Sequence, residues 1–166
     1  MDKTEVLSHE RLEMILNRLT WEVYEKHVQE SEITLAGIAK RGYALAEIIS
    51  KRLSKISDLK VNLVKITIDK KAPLEKPVEI DTEIKNLEGK CIVVLDDVLN
   101  SGRTLIYGVN HFLQIPLKQL TTLVLVDRSH KNYPVKADLK GISLSTSLKE
   151  HISAEIEKTP YSVTIF

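Results

Sequence analysis

The sequence predicts an α/β protein whose mainly parallel, twisted sheet is covered by helices on both faces. Apolar runs of strand length alternate along the chain with runs of helical periodicity. Residues 90–95 and 121–126 are almost continuously apolar, as in strands that are buried on both faces. Ligands of such sheets bind outside the carboxyl ends of the strands, so the polar residues that follow each strand are the candidate site.

The first half of the chain is predicted to form a helix, a strand, a second helix and a second strand, in that order. Residues 8–29 form a helix with one apolar stripe, and Ser8 is a suitable N-cap. A buried strand over 33–39 runs into a tight turn at Lys40, Arg41 and Gly42. A helix follows, and residues 61–68 are rich in β-formers and predict a strand.

Residues 69–89 carry many charges and little periodicity, and we expect a long mobile loop there. The strand at 90–95 leads into a loop at 96–104, and a helix then runs to about residue 112 and stops before Pro116. After the strand at 121–126, residues 129–146 are expected to be irregular, with a turn at Gly141. Residues 161–166 predict a last strand.

Composition restricts the class of protein. A length of 166 residues suits a single domain over 1–166, and a net charge of +1 gives no strong field for nucleic acid or membrane. The single cysteine, Cys91, excludes an internal disulfide and a cysteine-rich metal cluster. The sequence contains neither a signal-peptide pattern nor an apolar run of bilayer length, so we expect a cytoplasmic protein without a membrane partner.

Residues 96–104 hold the clearest chemistry. Two acids, Asp96 and Asp97, end a buried strand, where carboxylates can accept hydrogen bonds from sugar hydroxyls or hold hydrated magnesium. Small and hydroxylated residues follow just before a helix, where clustered N–H and O–H donors suit a phosphate. A phosphorylated ribose fits that order. Two other strand ends, at residues 40–42 and 127–128, should converge on the same crevice.

The segment resembles the phosphoribosyl pyrophosphate (PRPP) signature of type I phosphoribosyltransferases, in which an apolar strand and two acids precede a Ser/Thr-Gly-rich phosphate loop. Residues 37–42, Gly-Ile-Ala-Lys-Arg-Gly, resemble the pyrophosphate loop of the PyrR family, the bifunctional pyrimidine-operon regulators and uracil phosphoribosyltransferases. Residues 127–138 and 141–147 resemble the part of PyrR that forms the base-binding hood. The resemblance implies the type I fold, with the hood formed by the N-terminal segment and about 129–166.

The resemblance also implies a reaction and its residues. PRPP would pass its phosphoribosyl group to a base through a transition state with oxocarbenium character, which positioning and charge stabilise. The implied catalytic residues are Asp96, Asp97, Asp127 and Arg128. The implied ligands of ribose and 5′-phosphate are Asp96, Asp97, Val98, Leu99, Asn100, Ser101, Gly102, Arg103 and Thr104. Pyrophosphate would meet Lys40, Arg41, Gly42 and Arg128, and Mg²⁺ would be supported by Asp97 and Asp127, directly or through water.

Two departures from PyrR leave alternatives open. Ile68 is followed by Asp-Lys-Lys-Ala-Pro, where the family has Tyr-Arg-Asp-Asp in its closing loop. The first helix carries Asn17, Arg18 and Trp21, where the family has a Thr-Arg pair and a histidine that are used for RNA. The first hypothesis is a uracil phosphoribosyltransferase that makes UMP. The others are an RNA-binding regulator that senses UMP or UTP, with weak or no catalysis, and a transferase for another nucleobase. The resemblance implies a homodimer or a higher homo-oligomer.

Overall fold

The computed structural model describes residues 3–166 and contains two sheets. The larger has six strands in the order β4-β3-β2-β5-β6-β7, parallel except for β4, and the smaller is antiparallel with the order β1-β9-β8. The elements in chain order are β1 (Thr4–Leu7), α1 (His9–Lys26), β2 (Glu32–Ile38), α2 (Ala39–Ile56), β3 (Lys60–Thr67), β4 (Glu79–Ile80), β5 (Cys91–Leu99), α3 (Arg103–Phe112), β6 (Gln119–Asp127), β7 (Leu139–Ser143), β8 (Ile152–Glu155) and β9 (Ser162–Ile165).

The six-stranded sheet is covered on both faces, which confirms the predicted α/β fold. One apolar cluster joins β5 to α1 and α2, and the other joins β5 to α3. Every residue of β5 is buried, which explains its uninterrupted apolar sequence up to Leu95. Ser8 caps α1 as predicted, through a bond from the Arg11 backbone N–H to its hydroxyl. Within residues 3–166, no helix is long and apolar enough to span a membrane.

Two boundaries near the expected site were wrong. β5 continues to Leu99, so Asp96 and Asp97 lie inside a strand and the connecting loop is reduced to residues 100–102. The cause is the neighbouring strand β6, with which β5 stays paired up to the Leu99–Asp127 position. Lys40, Arg41 and Gly42 lie in the first turn of α2 rather than in a separate turn. The chain instead reverses at Ala39, which has a φ of 53°.

Two regions predicted to be irregular contain regular structure. Residues 139–143 form β7, a parallel partner of β6, so Gly141 lies in a strand and not in a turn. A side chain at Gly141 would collide with the Leu125 carbonyl and approach Ile15 Cγ2 to 2.8 Å, because α1 crosses β7 closely there. The segment 69–89 contains β4 and a short 3₁₀ helix at Ile84–Leu87. The mobility expected of this segment stays a prediction.

Candidate active site

The carboxyl ends of β2, β5 and β6 lie side by side because the three strands are parallel neighbours. The first turn of α2 rests directly on the end of β5. A Cβ at Gly42 would lie 2.6 Å from the Leu95 carbonyl oxygen and 3.2 Å from Asp96 Cα. Only a glycine allows this approach, so the expected pyrophosphate segment is held against the strand that carries the acids.

The two acids of β5 are buried and face different cations. Asp96 is 3% exposed, and its Oδ1 lies 3.8 Å from Lys70 Nζ. Asp97 is 5% exposed, and its Oδ2 lies 3.8 Å from Arg41 Nη1. Burial, reinforced by the neighbouring Asp97 carboxylate, raises the pKa of Asp96 well above its usual range, and Lys70 opposes that rise. The pair therefore offers carboxyl oxygens on two sides of the strand.

The loop after β5 is shaped to receive an anion. Gly102 precedes α3 with a φ of 85°, and the Arg103 backbone N–H donates to Ser101 Oγ at 3.3 Å. The other first-turn N–H groups of α3 have no intrahelical partner, which suits an anion. The backbone N–H groups of Asn132 and Tyr133 donate to the Ser101 carbonyl and fix the loop from behind. A pocket of about 70 Å³ lies here, lined by Lys70, Asp96, Val98, Leu99, Asn100, Ser101, Gly102, Thr104 and Leu105.

Arg103 holds the chain that follows β3. Its Nη2 donates to the carbonyl oxygens of Lys70, at 2.7 Å, and Lys71, at 3.1 Å. This contact brings Lys70 to the loop at residues 100–102, which we call the phosphate loop after the role expected for it, and the Lys70 ammonium group lies 3.8 Å from Asp96 there. The expected contact of Arg103 with phosphate stays a prediction. The geometry adds that Arg103 ties the start of segment 69–89 to α3.

Arg41 is the better placed of the two α2 cations that are expected, with Arg128, to meet pyrophosphate. Its Nη2 donates to Glu155 Oε1 at 2.9 Å while its Nη1 faces Asp97, so it links the smaller sheet to the acidic strand. Ser153 Oγ donates to the same Glu155 oxygen. Lys40 is exposed beside it, and within residues 3–166 it forms no ion pair.

Asp127 ends β6 and Arg128 follows it, and both are buried. Asp127 accepts a hydrogen bond from the Ser129 backbone N–H at 2.9 Å, and its other oxygen lies 3.8 Å from Lys140 Nζ. The Arg128 guanidinium is bonded to Asn100, Thr146 and the carbonyl oxygens of two later residues. To reach pyrophosphate it would have to leave these bonds.

Sequence reasoning missed Glu155 and gave two other residues a different place. Glu155 has no local signal, because it reaches the site only through Arg41. Thr146 lies in the stretch 141–147 that resembles the base-binding hood, but its bonds to Arg128 were not foreseen. Lys70 belongs to the stretch after Ile68 that departs from the family's closing loop, and the structure places it at Asp96.

Comparison with known proteins assigns the chain to a family. The model of the phosphoribosyl transferase domain matches residues 2–157. A bifunctional protein PyrR from Haemophilus ducreyi is 30% identical over 159 residues, which cover 92% of this chain and 89% of that protein. A PyrR from Clostridium kluyveri is 32% identical and covers 94% of this chain and 92% of its own. The chain belongs to the type I phosphoribosyltransferase family and is of the PyrR type.

Solved structures of the same family share its fold. The hypoxanthine phosphoribosyltransferase of Trypanosoma cruzi superposes with a TM-score of 0.81 at 13% identity, covering 98% of this chain and 95% of that one. A hypoxanthine-guanine phosphoribosyltransferase of Bacillus anthracis gives 0.76 at 18% identity, and the coverage is 100% for both chains. The chain is thus similar in sequence to relatives named bifunctional protein PyrR and similar in fold to structures named as hypoxanthine or hypoxanthine-guanine phosphoribosyltransferases.

Proposed function

We propose that this phosphoribosyltransferase converts uracil and PRPP to UMP and pyrophosphate. The observation that carries the proposal is the continuity of the site. Five residues separate the buried Asp96–Asp97 pair from the start of α3, which suits an anion, and Arg41 lies beside the pair. Uracil is preferred over hypoxanthine or guanine because the curated relatives that match almost the whole chain bear the name PyrR.

The ligand would lie across the carboxyl edge of the sheet. The 5′-phosphate would bind at residues 100–104, the ribose hydroxyls at Asp96 and Asp97, and the pyrophosphate beside Lys40, Arg41 and Gly42. The N–H groups at the start of α3, together with Lys70, favour an anion at that end. Arg41 would then stabilise negative charge on the leaving pyrophosphate as the bond to C1 breaks.

Magnesium fits the donor set at this edge. Within the described residues, no group of three His, Cys, Asp or Glu side chains is arranged as a metal cage. Mg²⁺ does not need one, since it commonly keeps several waters and binds one or two carboxylates together with substrate phosphates. Asp97 and Asp127 are the residues that would hold it, in part through water. Bound there with PRPP, the ion would neutralise charge on pyrophosphate.

Transfer of labelled uracil to UMP, with PRPP and Mg²⁺, tests the proposal directly. Hypoxanthine and guanine are assayed in parallel to identify the base. Formation of IMP or GMP without UMP would show that the substrate is a purine and not uracil. The double variant Asp96→Asn with Asp97→Asn is expected to abolish PRPP binding in calorimetry. Unchanged PRPP affinity of that variant would contradict the assignment of the site.

A regulatory function that binds RNA is the second candidate, and one groove favours it. Trp21 is 50% exposed and shares a groove of about 350 Å³ between α1 and α2 with Lys51 and Lys55. An aromatic ring beside two lysines suits a single-stranded nucleic acid. The two arginines nearby are already paired. Arg52 is bonded to Glu13 at 2.8 Å, and Arg18 is bonded to Glu22 and to the carbonyl oxygens of Lys140 and Gly141.

Trp21 is the only tryptophan of the chain, so its fluorescence reports directly on this groove. Quenching by single-stranded RNA that weakens with salt, and that UMP enhances, is expected if the protein is a regulator. Unaltered emission at low salt would exclude this groove as the RNA site. The same measurement on Lys51→Gln with Lys55→Gln, which keeps the fluorophore, separates groove binding from nonspecific quenching.

We also propose that the protein associates with itself and is located in the cytoplasm. Met14 and Trp21 are large apolar residues seven positions apart on one face of α1, and both are at least half exposed. A face of this kind suits contact with a second subunit. Light scattering during size exclusion chromatography measures the mass, and a monomer at micromolar concentration would contradict the association.

A further inference from the structure

Arg128 joins two parts of the site that are separate in sequence. Its Nη1 donates to Asn100 Oδ1 at 2.9 Å, in the phosphate loop. Its Nε and Nη2 donate to Thr146 Oγ1 at 3.0 and 2.8 Å, and Nη2 also donates to the carbonyl oxygens of Ser147 and Glu150. All three guanidinium nitrogens are thus engaged, and the side chain is 8% exposed.

The Asn100 end of this network has a chemical consequence. An amide presents an acceptor oxygen and a donor nitrogen, and a phosphate requires the donor. Because the Asn100 oxygen accepts from Arg128, its amide nitrogen is the half that remains available to donate, and Asn100 lines the small phosphate pocket. If Arg128 were absent, the amide could turn and present its oxygen to the anion.

The other end of the network braces the segment 144–150, which follows β7 at the same edge of the sheet. The Leu144 backbone N–H donates to the Asp127 carbonyl, and His130 Nε2 donates to the Thr146 carbonyl at 2.5 Å. Ser147 and Glu150 close a turn on each other, and the backbone N–H of Ser147 lowers the pKa of the Glu150 carboxyl. Arg128 is the one side chain among residues 3–166 that bonds to both this turn and the phosphate loop.

From this geometry we infer that Arg128 is a positioning residue, which orients Asn100 for the 5′-phosphate and holds segment 144–150 in place, rather than a ligand of pyrophosphate. The inference rests on the proposed function, because it assigns the phosphate loop to phosphoribosyl. It replaces the contact with pyrophosphate that the resemblance implies for Arg128. Arg41 and Lys40 then remain as the cations that would bind pyrophosphate at this edge of the sheet.

Calorimetry with two separate halves of PRPP tests the inference. The probes are ribose 5-phosphate and inorganic pyrophosphate with Mg²⁺, titrated into the wild type, Arg128→Gln and the surface control Arg11→Gln. We expect Arg128→Gln to lower the affinity for ribose 5-phosphate about tenfold, which corresponds to roughly one charge-assisted hydrogen bond. The affinity for pyrophosphate should stay within twofold of the wild type. The control should change neither.

If Arg128 were purely structural, Arg128→Gln would lower the melting temperature and reduce the affinity for both probes equally. That result would overturn the inference. Loss of pyrophosphate binding with ribose 5-phosphate unchanged would overturn it too, and would restore Arg128 as a ligand. A wild type that binds neither probe would defeat the proposed function itself, and the inference with it. These outcomes are distinguishable because the wild type is titrated first.

Thr146→Val keeps the inference testable if Arg128→Gln does not fold. It removes two of the guanidinium bonds but leaves Arg128 and Asn100 paired. The probe is UMP or IMP, whichever the wild type binds more tightly. We expect its affinity relative to ribose 5-phosphate to fall about tenfold, since the variant loosens the segment 144–150, which keeps only its backbone bonds, and leaves Asn100 in place. An unchanged ratio would show that Arg128 does not position this segment.

Discussion

Lys70 Nζ lies 3.8 Å from Oδ1 of Asp96, a carboxyl that is almost completely buried. The lysine comes from the segment after β3, which Arg103 holds against the start of α3. A cation that belongs to a connecting segment thus partly compensates an acid in the centre of the sheet. The ionisation of Asp96 is therefore linked both to stability and to the placement of that segment.

Asp96→Asn should raise the stability of the free protein at neutral and alkaline pH while removing ribose binding. The pKa of Asp96 is raised in the folded state, so its protonated form favours folding and that contribution is lost as pH rises through the folded pKa. The melting temperature of the variant should match the wild type near pH 4 and exceed it increasingly towards pH 8. Scanning fluorimetry across this range measures the difference. Asp58→Asn, an exposed control, should show no such trend, and a constant offset for Asp96→Asn would refute the explanation.

Arg103→Ala should weaken the binding of PRPP about tenfold or more, because it releases Lys70 and Lys71. Hydrogen bonds from a charged group contribute roughly 1.5–3 kcal/mol, and Arg103 makes two, to the carbonyl oxygens of these residues. The KM for PRPP is the measurement, with Arg11→Ala as the matched surface control. If the KM is unchanged, the segment 69–89 is not held by this contact when substrate is bound.

Gly102→Ala should disable the phosphate loop, whereas Gly89→Ala should not. Both glycines have positive φ, at 85° and 72°, so alanine costs roughly 1–2 kcal/mol at either position. A Cβ at Gly102 would also lie 2.6 Å from Val135 Cγ1, but nothing lies within 4 Å of one at Gly89. Denaturant titration and ribose 5-phosphate affinity separate the two effects. If both variants lost the same affinity for ribose 5-phosphate, the contact between a Cβ at residue 102 and Val135 would have no effect on the loop.

His27→Gln should flatten the acid side of the stability profile. His27 is 1% exposed, and burial lowers the pKa of its imidazole below 6.5. The unfolded chain then binds the proton more readily, so stability is complete above about pH 6.5 and falls as pH decreases towards the folded pKa. Urea unfolding at pH 7.5 and 5.5 should show a smaller decrease for the variant than for the wild type. His151→Gln, at an exposed position, should retain the wild-type decrease.

The sequence predicted elements well where the signal was local and the periodicity long. The stripe of α1 was found because its buried residues recur with the helical period, and β5 and β6 were found because they are buried along almost their whole length. Strand β7 was missed because it is a short edge strand, whose glycine is required by the close crossing of α1 rather than by a turn. No pattern within residues 139–143 contains that information.

In the candidate site, too, residues with a local sequence signal were predicted and residues that depend on distant partners were not. Residues 96–104 could be found because acids, glycine and hydroxyls follow one another on a single strand and loop. The contacts of Glu155 and Thr146 depend on partners that are 114 and 18 positions away, and no local pattern around Glu155 marks it. Arg128 was identified by its position, but its bonding partners become visible only when the two later strands are placed.

The contact between Gly42 and the end of β5 restricts how this site can change. Because a Cβ at residue 42 would lie only 2.6 Å from the Leu95 oxygen, the first turn of α2, which we propose for pyrophosphate, cannot shift without moving the strand that carries Asp96. Attempts to redesign substrate choice should therefore leave residues 37–42 and 96–104 as one fixed unit. New base specificity is better sought by exchanging exposed side chains within residues 129–150 at constant length, because Asn132 and Tyr133 hold the Ser101 carbonyl of that unit.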